Sequence, residues 1–215
     1  MTHTYKYVYI CITVILSSFM KDTRQQILEK NFEAIHECGF QGLRTDRVIK
    51  ELGITKGAFY HYFSGKQELG YCVVDEIIAP QYLDHWNQLY SYVGHPIEGI
   101  IERLMALQRD LPGKNIKLGC PLNNLIQEMS PLDEGFRQKL NRIARGMHLA
   151  IQDALIRGQK ARLVNPDADP EKVAFFVLST LEGAFSIAKS FQNRRPFDFS
   201  IDLLINYLRT QKNSK

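Results

Sequence analysis

The stretch Thr45–Leu69, T-D-R-V-I-K-E-L-G-I-T-K-G-A-F-Y-H-Y-F-S-G-K-Q-E-L, decides the fold. Val48, Ile49 and Leu52 recur at the spacing of one helical face, with Thr45 as the expected N-cap. Gly53-Ile54 predicts a tight turn, Thr55 caps a second helix through Tyr62, and Ser64-Gly65-Lys66 breaks the pattern again. A short helix, a glycine turn and a second short helix have the spacing of a helix-turn-helix. Such a pair needs an apolar lock, here Val48, Ile49 and Leu52 against Ala58, Phe59 and Phe63. It also needs an outward face on the second helix, and Thr55, Lys56, Tyr60 and His61 fall there. Gly57 lets the helix start approach a phosphate closely, where the N-terminal end of the helix dipole favours an anion. Between Arg44 and Lys66 the basic residues Arg44, Arg47, Lys50, Lys56 and Lys66 face only Asp46 and Glu51 as acids. That local surplus is a candidate phosphate-facing patch, although a solvated helix face is the ordinary origin of a short basic stretch.

Upstream, Ile27, Leu28, Phe32, Ile35 and Cys38 recur at three and four residues from Thr23 on, and Gly39 ends that helix. Three helices therefore precede a larger body. Downstream a long helical pattern starts at Gln67, with Pro80 inside it predicting a kink or split near Ala79. Further helices are expected over 97–111, after Gly119-Cys120-Pro121, over 132–163, from Pro170 to about Phe191, and over about 199–210. No alternating stretch is convincing outside the N-terminus. The fold class is all-α: a three-helix helix-turn-helix module, residues 20–66, and a larger helical bundle, residues 67–215.

The Thr45–Leu69 run resembles the N-terminal signature of the tetracycline-repressor family nearly position by position, and with the first helix the specific match covers about 23–69. The resemblance implies a DNA-binding module followed by a variable helical domain that holds a ligand pocket and a dimer interface. It implies that Thr45, Thr55, Lys56, Gly57, Tyr60, His61 and Lys66 touch DNA, mostly its phosphates. It further implies a homodimer on a palindromic double-stranded operator, released by a small-molecule effector. The long helices expected over 132–163 and from Pro170 to Phe191 resemble the pair that forms an intersubunit four-helix bundle. The G-C-P-L-N-N segment at Gly119–Asn124 resembles a subgroup that includes the N-ethylmaleimide-reductase repressor, in which the cysteine senses redox state or electrophiles. Cys120 matches by position only, Pro121 departs from the pattern, and inert buried thiols are commoner than reactive ones.

The body is rich in large apolar groups, most of them core, and a bundle interior is where ligand cavities form. Its candidate pocket residues are Trp86, Gln108, Cys120, Asn123, Asn124, Gln127, Met147 and Phe176. No cofactor and no metal is expected. The four cysteines are scattered, with no C-x-x-C and no zinc spacing, which points to reduced thiols in the cytoplasm. A net charge of +4 on 215 residues, with 45% hydrophobic and 23% charged, is ordinary for a soluble protein.

Residues 7–19, Y-V-Y-I-C-I-T-V-I-L-S-S-F, do not fit the rest. The stretch is too short for a bilayer core of about 30 Å and lacks a small-residue cleavage pattern. Met20-Lys21-Asp22-Thr23 reads as an ordinary start, so residues 1–19 are taken as a mis-called extension and no membrane is expected. A membrane-tethered regulator is the alternative that rests on them. An all-α enzyme is the other rival, and it finds no P-loop, H-E-x-x-H, G-x-S-x-G or ligand-spaced carboxylates in the sequence.

Overall fold

The computed structural model describes residues 4–213, with side chains from Thr23 on. The expectations for residues 1–19, a mis-called extension or a membrane anchor, lie outside the residues whose side chains are described. The described residues are all-α, as the periodicity predicts, and extended pairing is limited to one isolated bridge between Val164 and Lys212.

One compact unit ends at Ile77 and a second runs from Ile78 on, whereas the sequence placed the boundary between residues 66 and 67. In the first unit α1 (Thr4–Gly42) is broken at Gly39, whose φ of 76° and ψ of 166° leave the helical region. Helices α2 (Thr45–Glu51), α3 (Lys56–Tyr62) and α4 (Lys66–Cys72) follow. Their core is Ile27, Leu28, Ile35, Phe40, Val48, Ile49, Phe59, Phe63 and Leu69, all buried. Cys38, expected inward, is exposed, and Leu52 is half-buried, because α1 loses its helical register just after Cys38 and Leu52 is already the C-cap of α2.

After α4 comes a π-helical turn, Val73–Ile78, and then α5 (Ala79–Asn87), which carries Pro80 in its first turn. Pro80 has no N–H to give the carbonyl four residues back, at Glu76. The wider π register takes up the discontinuity and a new α segment starts at Ala79, where the split was expected.

The second unit continues with a short 3₁₀ turn and then α6 (Pro96–Asp110), α7 (Gly113–Leu118), α8 (Pro121–Met129), α9 (Glu134–Lys160), α10 (Pro170–Phe191) and α11 (Arg195–Thr210). Proline at the first or second position starts α6, α8, α10 and α11, where its missing N–H costs nothing. Asp133 and Asp169 cap α9 and α10 by accepting backbone N–H groups. The core is the inward stripe of α9, Phe136, Leu140, Ile143, Met147, Ile151 and Leu155, packed with α10, α6 and α5. Among the described residues α10 alone is long and apolar enough to cross a membrane, and here one of its faces lies in that core.

Candidate nucleic-acid interface and effector region

The turn between α2 and α3 is built by backbone hydrogen bonds. Gly53 N–H donates to Lys50 O at 3.2 Å and Ile54 N–H donates to Ile49 O at 3.2 Å, the pair of bonds that closes a Schellman motif. That motif requires a left-handed residue at the first position past the cap, and Gly53 has φ 66°. Thr55 then caps α3, its hydroxyl accepting from Ala58 N–H at 3.1 Å. Thr45 is not the cap of α2. Arg44 holds that position with an extended backbone and no side-chain bond, and Thr45 is already the first helical residue.

Phe59 and Phe63 carry the inner face of α3, which leaves Lys56, Gly57, Tyr60 and His61 outward, next to the exposed cap Thr55. Tyr60 is 57% exposed, and its ring meets buried Phe59 edge-on at 5.3 Å, so the hydroxyl end is held away from the core. A Cβ on Gly57 would find nothing nearer than Thr55 Oγ1 at 3.8 Å. No packing within the protein demands glycine there. The helix start is bare backbone that an outside group can reach.

Two members of the basic surplus, Lys56 and Arg47, are paired with acids. Lys56 Nζ sits 2.9 Å from Asp46, Arg47 is 2.8 Å from Glu51, and Lys30 is 3.6 Å from Glu51. The Asp46 carboxylate holds the Lys56 ammonium above its usual range, and Arg47 holds Glu51 below the usual carboxylate range. Lys66 is half-buried, donates to Gln41 O at 3.0 Å and lies over the Phe40 ring at 5.0 Å, which gives it a place in the end of α1. Arg44 and Lys50, members of the same basic stretch, are exposed and carry no ion pair among the described residues. Charge alone could not separate them from Lys66, because the separation depends on which carbonyl lies within reach.

Behind α3, Arg24 of α1 makes two bonds to Glu76, at 2.6 and 2.7 Å, and lies over Phe63 at 5.3 Å. One guanidinium therefore braces the end of α3 and the π turn together.

In the second unit the candidate pocket residues part company. Cys120, Asn123 and Asn124 come together where α8 meets α10: Asn123 donates to Ser186 Oγ at 3.3 Å and Lys189 donates to Asn124 Oδ1 at 3.1 Å. Gln108 is elsewhere, its amide spent on Asp202 at 3.1 Å and Asp198 O at 3.3 Å of α11. Phe176 packs on Tyr207 at 4.7 Å and lines an open groove of about 480 Å³ with Val173, Asp169 and Gln211. Trp86 and Met147 are buried core and Gln127 is exposed. Helical period separates inward from outward residues but does not say which inward residues share a wall.

The sequence reading passed over the two polar residues that join Cys120. Tyr82 Oη lies 3.0 Å from Cys120 Sγ, and Glu182 of α10 approaches the same sulfur. Burial, reinforced by the Glu182 charge, pushes the Cys120 thiol well above its usual range, and burial does the same to the Tyr82 hydroxyl. Burial raises the Glu182 carboxyl to about 7. A thiol so far from ionising is a poor nucleophile, so the reactive-sensor reading of Cys120 finds no support in its surroundings. The signal in the sequence was there: Glu182 is the one charge in the run Val173–Ala188.

Comparison with known proteins supplies the rest. Residues 27–69 match the family model described as bacterial regulatory proteins, tetR family, and residues 97–204 match the one described as tetracyclin repressor-like, C-terminal domain. The transcriptional repressor DhaR of Mycobacterium sp. strain GP1 is 27% identical over 175 residues, covering 81% of this chain and 86% of that protein. The repressor NemR of Escherichia coli K12 is 23% identical over 189 residues, covering 88% and 95%. Among solved structures, reduced E. coli NemR superposes with a TM-score of 0.75 at 22% identity over 90% of this chain and 98% of that one. A regulator from Cytophaga hutchinsonii gives 0.75 at 21%, covering 91% and 98%.

Proposed function

The chain belongs to the tetracycline-repressor family, and from that premise we propose that it is a cytoplasmic, ligand-responsive repressor that binds a palindromic operator as a homodimer. Its family and its named relatives are transcriptional regulators, not enzymes. The observation that carries the proposal is the outward face of α3. A capped helix start with bare backbone at Gly57, flanked by Lys56, Tyr60 and His61, suits a phosphate and the adjacent groove. Thr45 and Lys66 complete the proposed contacts, Lys66 serving also as a brace.

The dimer rests on two arguments. One seven-residue helix buries too little to bind DNA tightly, whereas two recognition helices about 34–36 Å apart read two half-sites. In addition, α10 exposes Phe176 at 46%, Ile187 at 50% and Phe191 at 70%, which helical period puts on one side, an apolar face that a second copy of α10 would cover. Release follows if an effector binds better to a conformation in which that spacing no longer fits.

The test is selection of duplexes from the host genome followed by anisotropy titration. The expected result is preference for a two-fold sequence, bound by two chains, with affinity falling steeply as salt rises. Equal affinity for the selected and a scrambled duplex would overturn the proposal.

A further inference from the structure

Two rows of outward side chains run side by side on the second unit. On α10, Phe176, Thr180, Gly183, Ile187 and Phe191 recur at three and four residues, and all but half-buried Thr180 are exposed. On α11, Phe199, Leu203 and Tyr207 recur every four residues, with Leu203 70% exposed. The rows join where Phe176 meets Tyr207, at the open groove that Asp167, Asp169 and Lys172 also line. A Cβ on Gly183 would meet nothing within 4 Å, so no packing within the chain demands glycine in the middle of its row. The two ends of this face differ in charge. Asp167, Asp169 and Glu171 outnumber Lys172 at the start of α10, whereas Lys189, Arg194 and Arg195 outnumber Asp198 around its end. Asp167 and Arg195 are exposed and carry no ion pair among the described residues, and Arg195 lies over the Phe199 ring at 4.9 Å.

We propose that the groove at the start of α10 is a socket for the end of α10 of a second copy: Phe191 of one chain enters against Phe176 and Tyr207 of the other, and Arg195 pairs with Asp167. The proposal rests on the homodimer reading above and gives that dimer its register. Phe176 and Phe191 lie seven and eight residues either side of Gly183, roughly 10 and 12 Å along the helix at a rise of about 1.5 Å per residue. Two α10 helices that cross antiparallel near Gly183 therefore set each Phe191 opposite the other chain's Phe176. How closely two helices approach depends on the side chains at their contact, and Gly183 has none to hold them apart. The antiparallel pairing also lays the acidic end of one face on the basic end of the other, whereas a parallel pairing would bring like charges together. Two-fold symmetry makes each such contact twice. α9, the companion expected for α10, keeps its apolar stripe in the core, so the second helix of the interface is α11.

The experiment uses the full chain without DNA, so it stands or falls separately from operator binding. Sedimentation equilibrium and native mass spectrometry are run on the parent, on Asp167→Arg, on Arg195→Glu, on an equimolar mixture of the two variants and on the double variant. The parent is expected to be a dimer. Each single variant sets like charges together twice per dimer and should raise the dimer dissociation constant about tenfold or more, with circular dichroism unchanged. In a mixed dimer the doubly substituted pair and the native pair are each opposite in charge. The mixture should therefore form chiefly mixed dimers, and the double variant should regain the parent's dissociation constant. A monomeric parent overturns the homodimer reading and the socket with it. A dimeric parent with either single variant dimerising as tightly, or with a mixture that shows no excess of mixed dimers, overturns the socket and leaves the homodimer standing.

Discussion

Lys56, the first residue of α3, holds its ammonium 2.9 Å from the carboxylate of Asp46 in the first turn of α2, and both side chains are largely exposed. An exposed pair of this kind contributes little to stability, so its partner is exchangeable. A DNA phosphate arriving at the start of α3 competes with Asp46 for the same cation. Lys56→Ala should weaken binding to all duplexes and flatten the salt slope by about one unit. Asp46→Asn should do the opposite to affinity, raising it several-fold. Anisotropy titrations at several salt concentrations check both, and an Asp46→Asn affinity equal to or below the parent's would contradict the competition.

Gly57→Ala separates a phosphate approach from a packing role. A Cβ there meets nothing within the protein closer than 3.8 Å, and alanine is the better helix former by about 1 kcal/mol at most. The thermal midpoint should hold or rise while duplex affinity falls at least several-fold. A drop in both would show that glycine serves the fold.

Loss of the α10 apolar face should dissociate the dimer. Ile187→Glu places a charge on an exposed side chain, so the monomer fold should survive, as circular dichroism would show. Sedimentation should shift towards the monomer, and binding to a palindrome should fall much more than binding to a single half-site. An unshifted sedimentation coefficient would place the dimer interface elsewhere.

Glu182 should make stability fall with rising pH. Its carboxyl, ordinarily near 4.5, is raised to about 7 in the folded chain, so between those values the native state keeps a proton that the unfolded state has lost. The stabilisation is therefore complete below the unfolded value and disappears as pH climbs through about 7; the shift corresponds to roughly 3 kcal/mol as an upper figure. Tyr82 and Cys120 are both pushed well above their ordinary values and stay neutral throughout this window. Urea unfolding at about pH 5.5 and about pH 8.5 should show the difference in the parent chain and a much flatter response in Glu182→Gln. Parallel pH profiles for the two proteins would remove Glu182 as the titrating group.

The sequence by itself determined the helix-turn-helix and most helix boundaries, because their determinants are local. Gly53 and Ile54 close a turn on carbonyls three and five residues back respectively, and Thr55 caps an N–H three residues ahead. Pro80 disrupts a bond to a carbonyl four residues away, and the inward stripe of α9 repeats every three or four positions. Each of these interactions closes within about a turn of chain, where residue type and spacing are enough. Even there one local choice went the other way, when Arg44 rather than Thr45 took the cap of α2. Only the tertiary structure decided which cation is tied down and which polar groups meet. Lys66 reaches a carbonyl 25 residues earlier, Gln108 bonds a carboxylate 94 residues later, and Tyr82, Cys120 and Glu182 converge from three helices. Periodicity shows that such residues face inward, but what lies opposite is set by how helices pack across the core, and burial together with that opposing group decides each one's charge and use.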